Sequence, residues 1–109
     1  MIETKINDAL KKLCDGRVSP LVADQGIQPP YICYTKVSEV WGDVMCCQSY
    51  VEYCFQIDVY AKSLFEAETI LKQSYTCLKP LKPFNVSNYH DYESDTKLYR
   101  STLEFSLLN

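Results

Sequence analysis

Val51-Glu52-Tyr53-Cys54-Phe55-Gln56-Ile57-Asp58-Val59-Tyr60-Ala61 decides the fold. Val51, Tyr53, Phe55, Ile57 and Val59 alternate with Glu52, Cys54, Gln56 and Asp58. A period of two puts one set on each face of a strand, one face buried and the other wetter. The spacing predicts a strand over 49–61. Ser63-Leu64-Phe65-Glu66 follows at once, a serine with a glutamate three residues on. That pattern is a capping box opening a helix. Ala67, Ile70, Leu71, Ser74 and Leu78 supply the helix's inner stripe, and Pro80 and Pro83 end it.

Working outward, Ile2, Ile6, Ala9, Leu10 and Leu13 recur at helical spacing and predict a first helix over 2–14. Lys11 and Lys12 suit its negative end, and Gly16 suits a left-handed cap. Residues 17–30, with Pro20, Gly26, Pro29 and Pro30, read as a long irregular connection. Tyr31 to Ser38 is rich in aromatic and β-branched residues and reads as a strand. Residues 39–48 read as a connection around Trp41-Gly42-Asp43. Residues 85–92 and 98–108 read as a hairpin turning near Ser94-Asp95-Thr96-Lys97. On its second strand Tyr99, Ser101, Leu103, Phe105 and Leu107 share one face, and Arg100, Thr102 and Glu104 the other. The order is α-β-β-α-β-β. The expected architecture is one α+β domain over 1–109, with two helices packed on one face of a four-stranded, mainly antiparallel sheet.

The chain's 109 residues suffice for one core and are too few for two. Hydrophobic residues make up 47% and charged residues 23%, which excludes disorder and coiled coil as whole-chain readings. No apolar run approaches the ~20 residues of a membrane helix, so no membrane partner is expected. A net charge of −3 with interspersed signs argues against a binder that neutralises phosphates, and no sequence-specific nucleic-acid contact is expected.

Cys14, Cys33, Cys46, Cys47, Cys54 and Cys77 include no Cys-x-x-Cys. Met1-Ile2-Glu3-Thr4-Lys5 leads into polar residues rather than an apolar secretory segment. The favoured reading is reduced thiols packed as small hydrophobes, ahead of a metal, a disulfide or a catalytic thiol. The vicinal pair Cys46-Cys47 is the most oxidisable candidate. His90, the single histidine, lies in His90-Asp91-Tyr92-Glu93-Ser94-Asp95 and reads as a solvated hairpin end, ahead of a general base or metal ligand. There is no phosphate loop, no dinucleotide fingerprint and no His-Glu-x-x-His, and no cofactor, metal or catalytic residue is assigned.

The nine tyrosines are the better clue. Tyr50 and Tyr60 fall on the wetter face of the long strand, Tyr53 falls on the buried one, and Tyr31 and Tyr34 fall on opposite faces of the preceding strand. Aromatic residues on both faces suit a sheet whose second face meets another subunit.

Several segments together resemble a known phage family. They are Gly16-Arg17-Val18-Ser19-Pro20 after a helix, Pro30-Tyr31-Ile32-Cys33-Tyr34 opening a strand, Phe55-Gln56-Ile57-Asp58-Val59-Tyr60-Ala61 running into a helix with Glu66-Ala67-Glu68, and Leu98-Tyr99-Arg100-Ser101-Thr102-Leu103-Glu104-Phe105. In this order they resemble the tail-completion, or tail-terminator-like, proteins of long-tailed phages and prophages. Six cysteines, and a turn around Trp41–Cys47 without a short glycine-rich form, depart from that pattern.

The resemblance implies a small α+β subunit that forms a homo-oligomeric ring, typically a hexamer, at the head-proximal end of the tail. Such a ring ends tail-tube polymerisation and joins the tail to the head, leaving DNA a path through it. The implied partners are the tail-tube protein and head-connector proteins. The implied location is the tail or neck of the virion, and the host cytoplasm during assembly. A head-completion or connector ring shares this size and habit. From another class, a small cytosolic thiol enzyme would use one cysteine with His90. Arg17, Trp41, Tyr50 and Tyr60 are the expected subunit-interface residues, Trp and Arg being frequent at the energetic centres of contacts.

Overall fold

A computed structural model describes residues 2–20, 26, 28–42 and 50–108. Helix α1 runs Ile2–Leu10, β1 Val18–Pro20, β2 Tyr31–Gly42, β3 Tyr50–Ala61, α2 Leu64–Leu78, β4 Phe84–Glu93 and β5 Leu98–Leu108. The strands form one sheet in the order β1-β2-β3-β5-β4. It is a five-stranded mixed sheet, not the expected four-stranded one. The added strand lies inside the stretch read as irregular: Val18, Ser19 and Pro20 pair in parallel with Ile32, Cys33 and Tyr34. A three-residue strand containing proline carries no periodicity, so only its distant partner identifies it. All other pairings are antiparallel.

The first helix is shorter than expected. Ile2, Ile6 and Leu10 bury its stripe, and a 3-10 turn over Leu13–Gly16 replaces the last α-turn. Cys14 and Gly16 both have positive φ, 51° and 83°, which an α-helix cannot absorb. Gly16 is needed there for its φ: a Cβ would meet only the Lys11 carbonyl, at an ordinary 3.7 Å. Helix α2 opens as expected, the Glu66 N–H donating to Ser63 Oγ at 3.1 Å.

Strand β2 is longer than expected. It passes through Trp41 to Gly42, and Trp41 pairs with Val51 rather than lying in a connection. A bulge at Val37, between Lys36 and Ser38, shifts the alternation, so the pattern breaks where the strand does not. Asp43 to Ser49, including Cys46 and Cys47, lie outside the described residues.

Both helices cover one face. Ile6 and Leu10 from α1, Ala67, Leu71 and Leu78 from α2, and Ile32, Phe55, Ile57, Val59, Leu103, Phe105 and Leu107 from the sheet form one buried cluster, with Ile70 packed at its margin. Twelve-residue strands span about 40 Å, whereas the fifteen residues of α2 span about 22 Å. The outer part of the β2–β3 hairpin therefore runs beyond α2 in a molecule measuring 51 × 24 × 23 Å.

Candidate functional site

The face of the sheet turned away from the helices is polar and aromatic. Register sets its rows: Tyr31, Tyr60, Arg100 and Asp91 lie side by side, as do Cys33, Asp58, Thr102 and Tyr89, then Thr35, Gln56, Glu104 and Ser87. Tyr31 and Tyr60 stack with ring centroids 4.9 Å apart. Burial, aided by the nearby Asp58 carboxylate, pushes the Tyr60 phenol up to about 12. Burial also raises Tyr31.

In the second row Asp58 is 7% exposed and Thr102 1% exposed, so the wetter face is closed over its centre by its own side chains. Asp58 accepts from Thr102 Oγ1 at 2.7 Å and from Gln56 Nε2 at 3.0 Å. Burial of this carboxylate is tolerated because its oxygens are bonded. Arg100 Nη2 donates to Asp91 Oδ2 at 3.2 Å, with Nη1 3.6 Å from Glu93. Its buried Nε has no acceptor among the described residues. Tyr89 donates to Glu104 Oε1 at 2.9 Å, which raises its phenol.

The four expected interface residues separate into two groups. Arg17 is half-buried, and its Nε donates to the Pro30 carbonyl at 2.9 Å at the entry to β2. Tyr60 pairs with Tyr31 at that same end. Trp41 lies ten residues further along β2, roughly 33 Å away, on the outer hairpin. It is 67% exposed, and its Nε1 donates to Glu39 Oε2 at 2.8 Å. The backbone of Tyr50 pairs with Gly42 beside it, while its side chain lies outside the described residues. Trp41 thus covers no core of its own.

His90 does not close a hairpin. Strand β4 continues to Glu93, and His90 sits within it on the helix side, paired with Ser101. Its Nδ1 is 2.8 Å from Ser101 Oγ and its Nε2 3.3 Å from Glu68 Oε1. Both ring nitrogens are thus engaged by groups other than a thiol. The Ser101 hydroxyl is fully buried, so this carboxylate–imidazole–hydroxyl chain ties β4 to α2 and β5 with no substrate access to the hydroxyl. Beside it a groove of about 520 Å³ opens between α2 and β4, lined by Glu68, Leu71, Tyr75, Val86, Asn88 and His90 among others. Arg100, Tyr89 and this groove were not legible as site features, because cross-strand register brings them together; Tyr31 was legible as a face tyrosine, but not its stacking on Tyr60.

Among the described residues no group of three or more His, Cys, Asp or Glu side chains could hold a metal ion. No described helix is long and apolar enough to cross a membrane. The fold and faces define an α+β domain with an uncovered sheet face and a projecting hairpin. No family model matches the chain, and no curated protein matches it in sequence. In fold it is similar to a chain in the solved structure of the virion of a native gene transfer agent particle. The TM-score is 0.62 over 98% of this chain and 92% of that one, at 11% identity. At that identity the likeness is one of fold.

Proposed function

We propose that this protein is a structural subunit of a phage or prophage virion, acting as a homo-oligomeric ring at the head-proximal end of the tail. The ring ends the tail tube and joins it to the head, with the tail-tube protein on one side and head-connector proteins on the other. It assembles from subunits made in the host cytoplasm. No catalytic step belongs to this role. The observation that carries the reading is the end-to-end fold likeness to a chain of a virion particle, 98% of this chain against 92% of that one. The order of tail-completion-like segments along the sequence points the same way. A hexamer is the ring size that the resemblance implies.

The surfaces suit assembly. A ring uses two different patches of each subunit, so its contact is heterologous and closes by rotation. The exposed Trp41 hairpin and the groove between α2 and β4 are separate patches. Immunogold labelling of purified particles tests the location. Label at the junction of head and tail is expected; particles that lack the chain, or carry it only elsewhere, would refute the proposal.

A further inference from the structure

Among the described residues six of the nine exposed large hydrophobic side chains lie on two strands, the others being Leu64 and Phe65 at the start of α2 and Leu108 at the end of β5. Val37, Val40 and Trp41 lie on the outer half of β2, and Val86, Tyr89 and Tyr92 lie on β4. Strand β4 is the last strand of the sheet, and β1 covers β2 only at Ile32, Cys33 and Tyr34. Both edges therefore present unpaired backbone, among the described residues. Each edge is only partly guarded: β2 has Lys36, Glu39 and the Val37 bulge, and β4 has Asp91, Glu93 and a bulge between Phe84 and Ser87, but β4 contains no lysine or proline.

We propose that the outer edge of β2 in one copy, Thr35 to Trp41, adds as a strand to β4 of the next copy, seating Trp41 in the groove between α2 and β4. This deepens the ring reading above and rests on it.

Direction and face select this pairing. Strands β2 and β5 run one way and β3 and β4 the other, so a neighbour added in the same orientation brings its β2 antiparallel to β4. Lys36, Glu39 and Trp41 lie on the helix side of β2, as their partners Phe55, Tyr53 and Val51 show. Asn88, His90 and Tyr92 lie on the helix side of β4, opposite Leu103, Ser101 and Tyr99. Matching these faces sets Asn88 against the neighbour's Trp41, His90 against its Glu39 and Tyr92 against its Lys36, with the Val37 bulge absorbed between the last two. Within one copy Glu39 already holds Lys36 Nζ at 2.9 Å and Trp41 Nε1 at 2.8 Å, and His90 holds Ser101 and Glu68, so the pairing rests on direction and face, and Trp41 Nε1 leaves Glu39 on entering the groove. Pairing stops at Thr35, next to the first residue that β1 already covers.

The groove supplies the pocket that strand addition requires for alternate side chains. Asn88, Val86 and His90 line its β4 wall, so an indole opposite Asn88 projects over it towards Leu71 and Tyr75. The stagger is also compatible with closure. Asn88 shares a row with Ile57, whereas Trp41 pairs with Val51, six residues along β3. Six residues, about 20 Å, over a four-strand repeat of about 19 Å tilt the strands by about 45°, the upper end of the range for closed sheets.

Photocrosslinking tests this on the full chain, both purified at high concentration and in particle-producing cells. A benzophenone amino acid at position 41 should give copy-to-copy crosslinks mapping to 68–76 or 86–90 of the second copy. The same probe at position 88 should map to 36–42. Asn88→Trp, which fills the groove from an exposed position, should reduce the position-41 crosslink at least tenfold. If that variant misfolds, Trp41→Ser with the probe at 88 should show the same loss. Crosslinks from position 88 to residues 84–93 of another copy would overturn the proposal in favour of β4 pairing with itself. Copy-to-copy crosslinks from other surface positions but none from 41 or 88 would overturn it while leaving the ring standing. No copy-to-copy crosslink from any position would overturn it too, and a loss of the ring function itself is read separately, from deletion of the gene.

Discussion

Thr102 Oγ1 donates to Asp58 Oδ1 at 2.7 Å, joining β5 to β3 on the face that the helices leave open. A hydroxyl on one strand and a carboxylate on the next hold each other out of water. Thr102→Val keeps the shape and removes the donor. The buried carboxylate keeps only Gln56, and the loss should be about 1–3 kcal/mol. Urea unfolding measures it, and an unchanged midpoint would show that the pair contributes no net stability.

The Tyr60 phenol makes stability fall at high pH. An unfolded tyrosine releases its proton near pH 10, whereas in the folded chain Tyr60 holds it to about 12. Between these values the folded state binds more protons than the unfolded one, so stability decreases as pH rises. Unfolding curves at pH 9 and 11.5 should show this decrease, and Tyr60→Phe should make it smaller. An equal decrease in both proteins would place the effect on other groups.

Phe55 is fully buried and lies 6.0 Å from Phe105, ring centre to ring centre, at the middle of the core. Phe55→Ala should cost about 3–5 kcal/mol through lost burial and the cavity left behind. A loss under ~1 kcal/mol would contradict the assignment of this face as the core.

Ser63 caps α2 through the Glu66 N–H. Ser63→Ala should cost about 1 kcal/mol and leave the sheet intact. Thermal unfolding by circular dichroism reports it, and an unchanged midpoint would show the cap to be dispensable.

These core and cap positions were legible in the sequence because each rests on a local pattern. Alternation from Val51 to Val59 and the Ser63–Glu66 spacing each name a face or a boundary without help from distant residues. Phe55, Ile57 and Val59 from the alternating strand and Ile6, Leu10 and Leu71 from the two helical stripes form one cluster, with Ile70 at its margin. What the sequence hid depends on distant partners. Strand β1 exists through Ile32 to Tyr34, and β2 outlasts its pattern because of one bulge residue. His90 joins Ser101 and Glu68 across three elements, and Asp58 is buried through Thr102, forty-four residues away. Trp41 was singled out by type and is exposed, but it sits on a strand edge rather than in a loop. That placement gives it a backbone to pair as well as a side chain to bury.

The central claim is that the chain completes the tail and joins it to the head. Deleting the gene from the genome that carries it and viewing induced lysates by electron microscopy tests this most directly. The account predicts tails of uncontrolled length, or finished tails beside unjoined heads, restored by the gene supplied in trans. Normal joined virions from the deletion would contradict it.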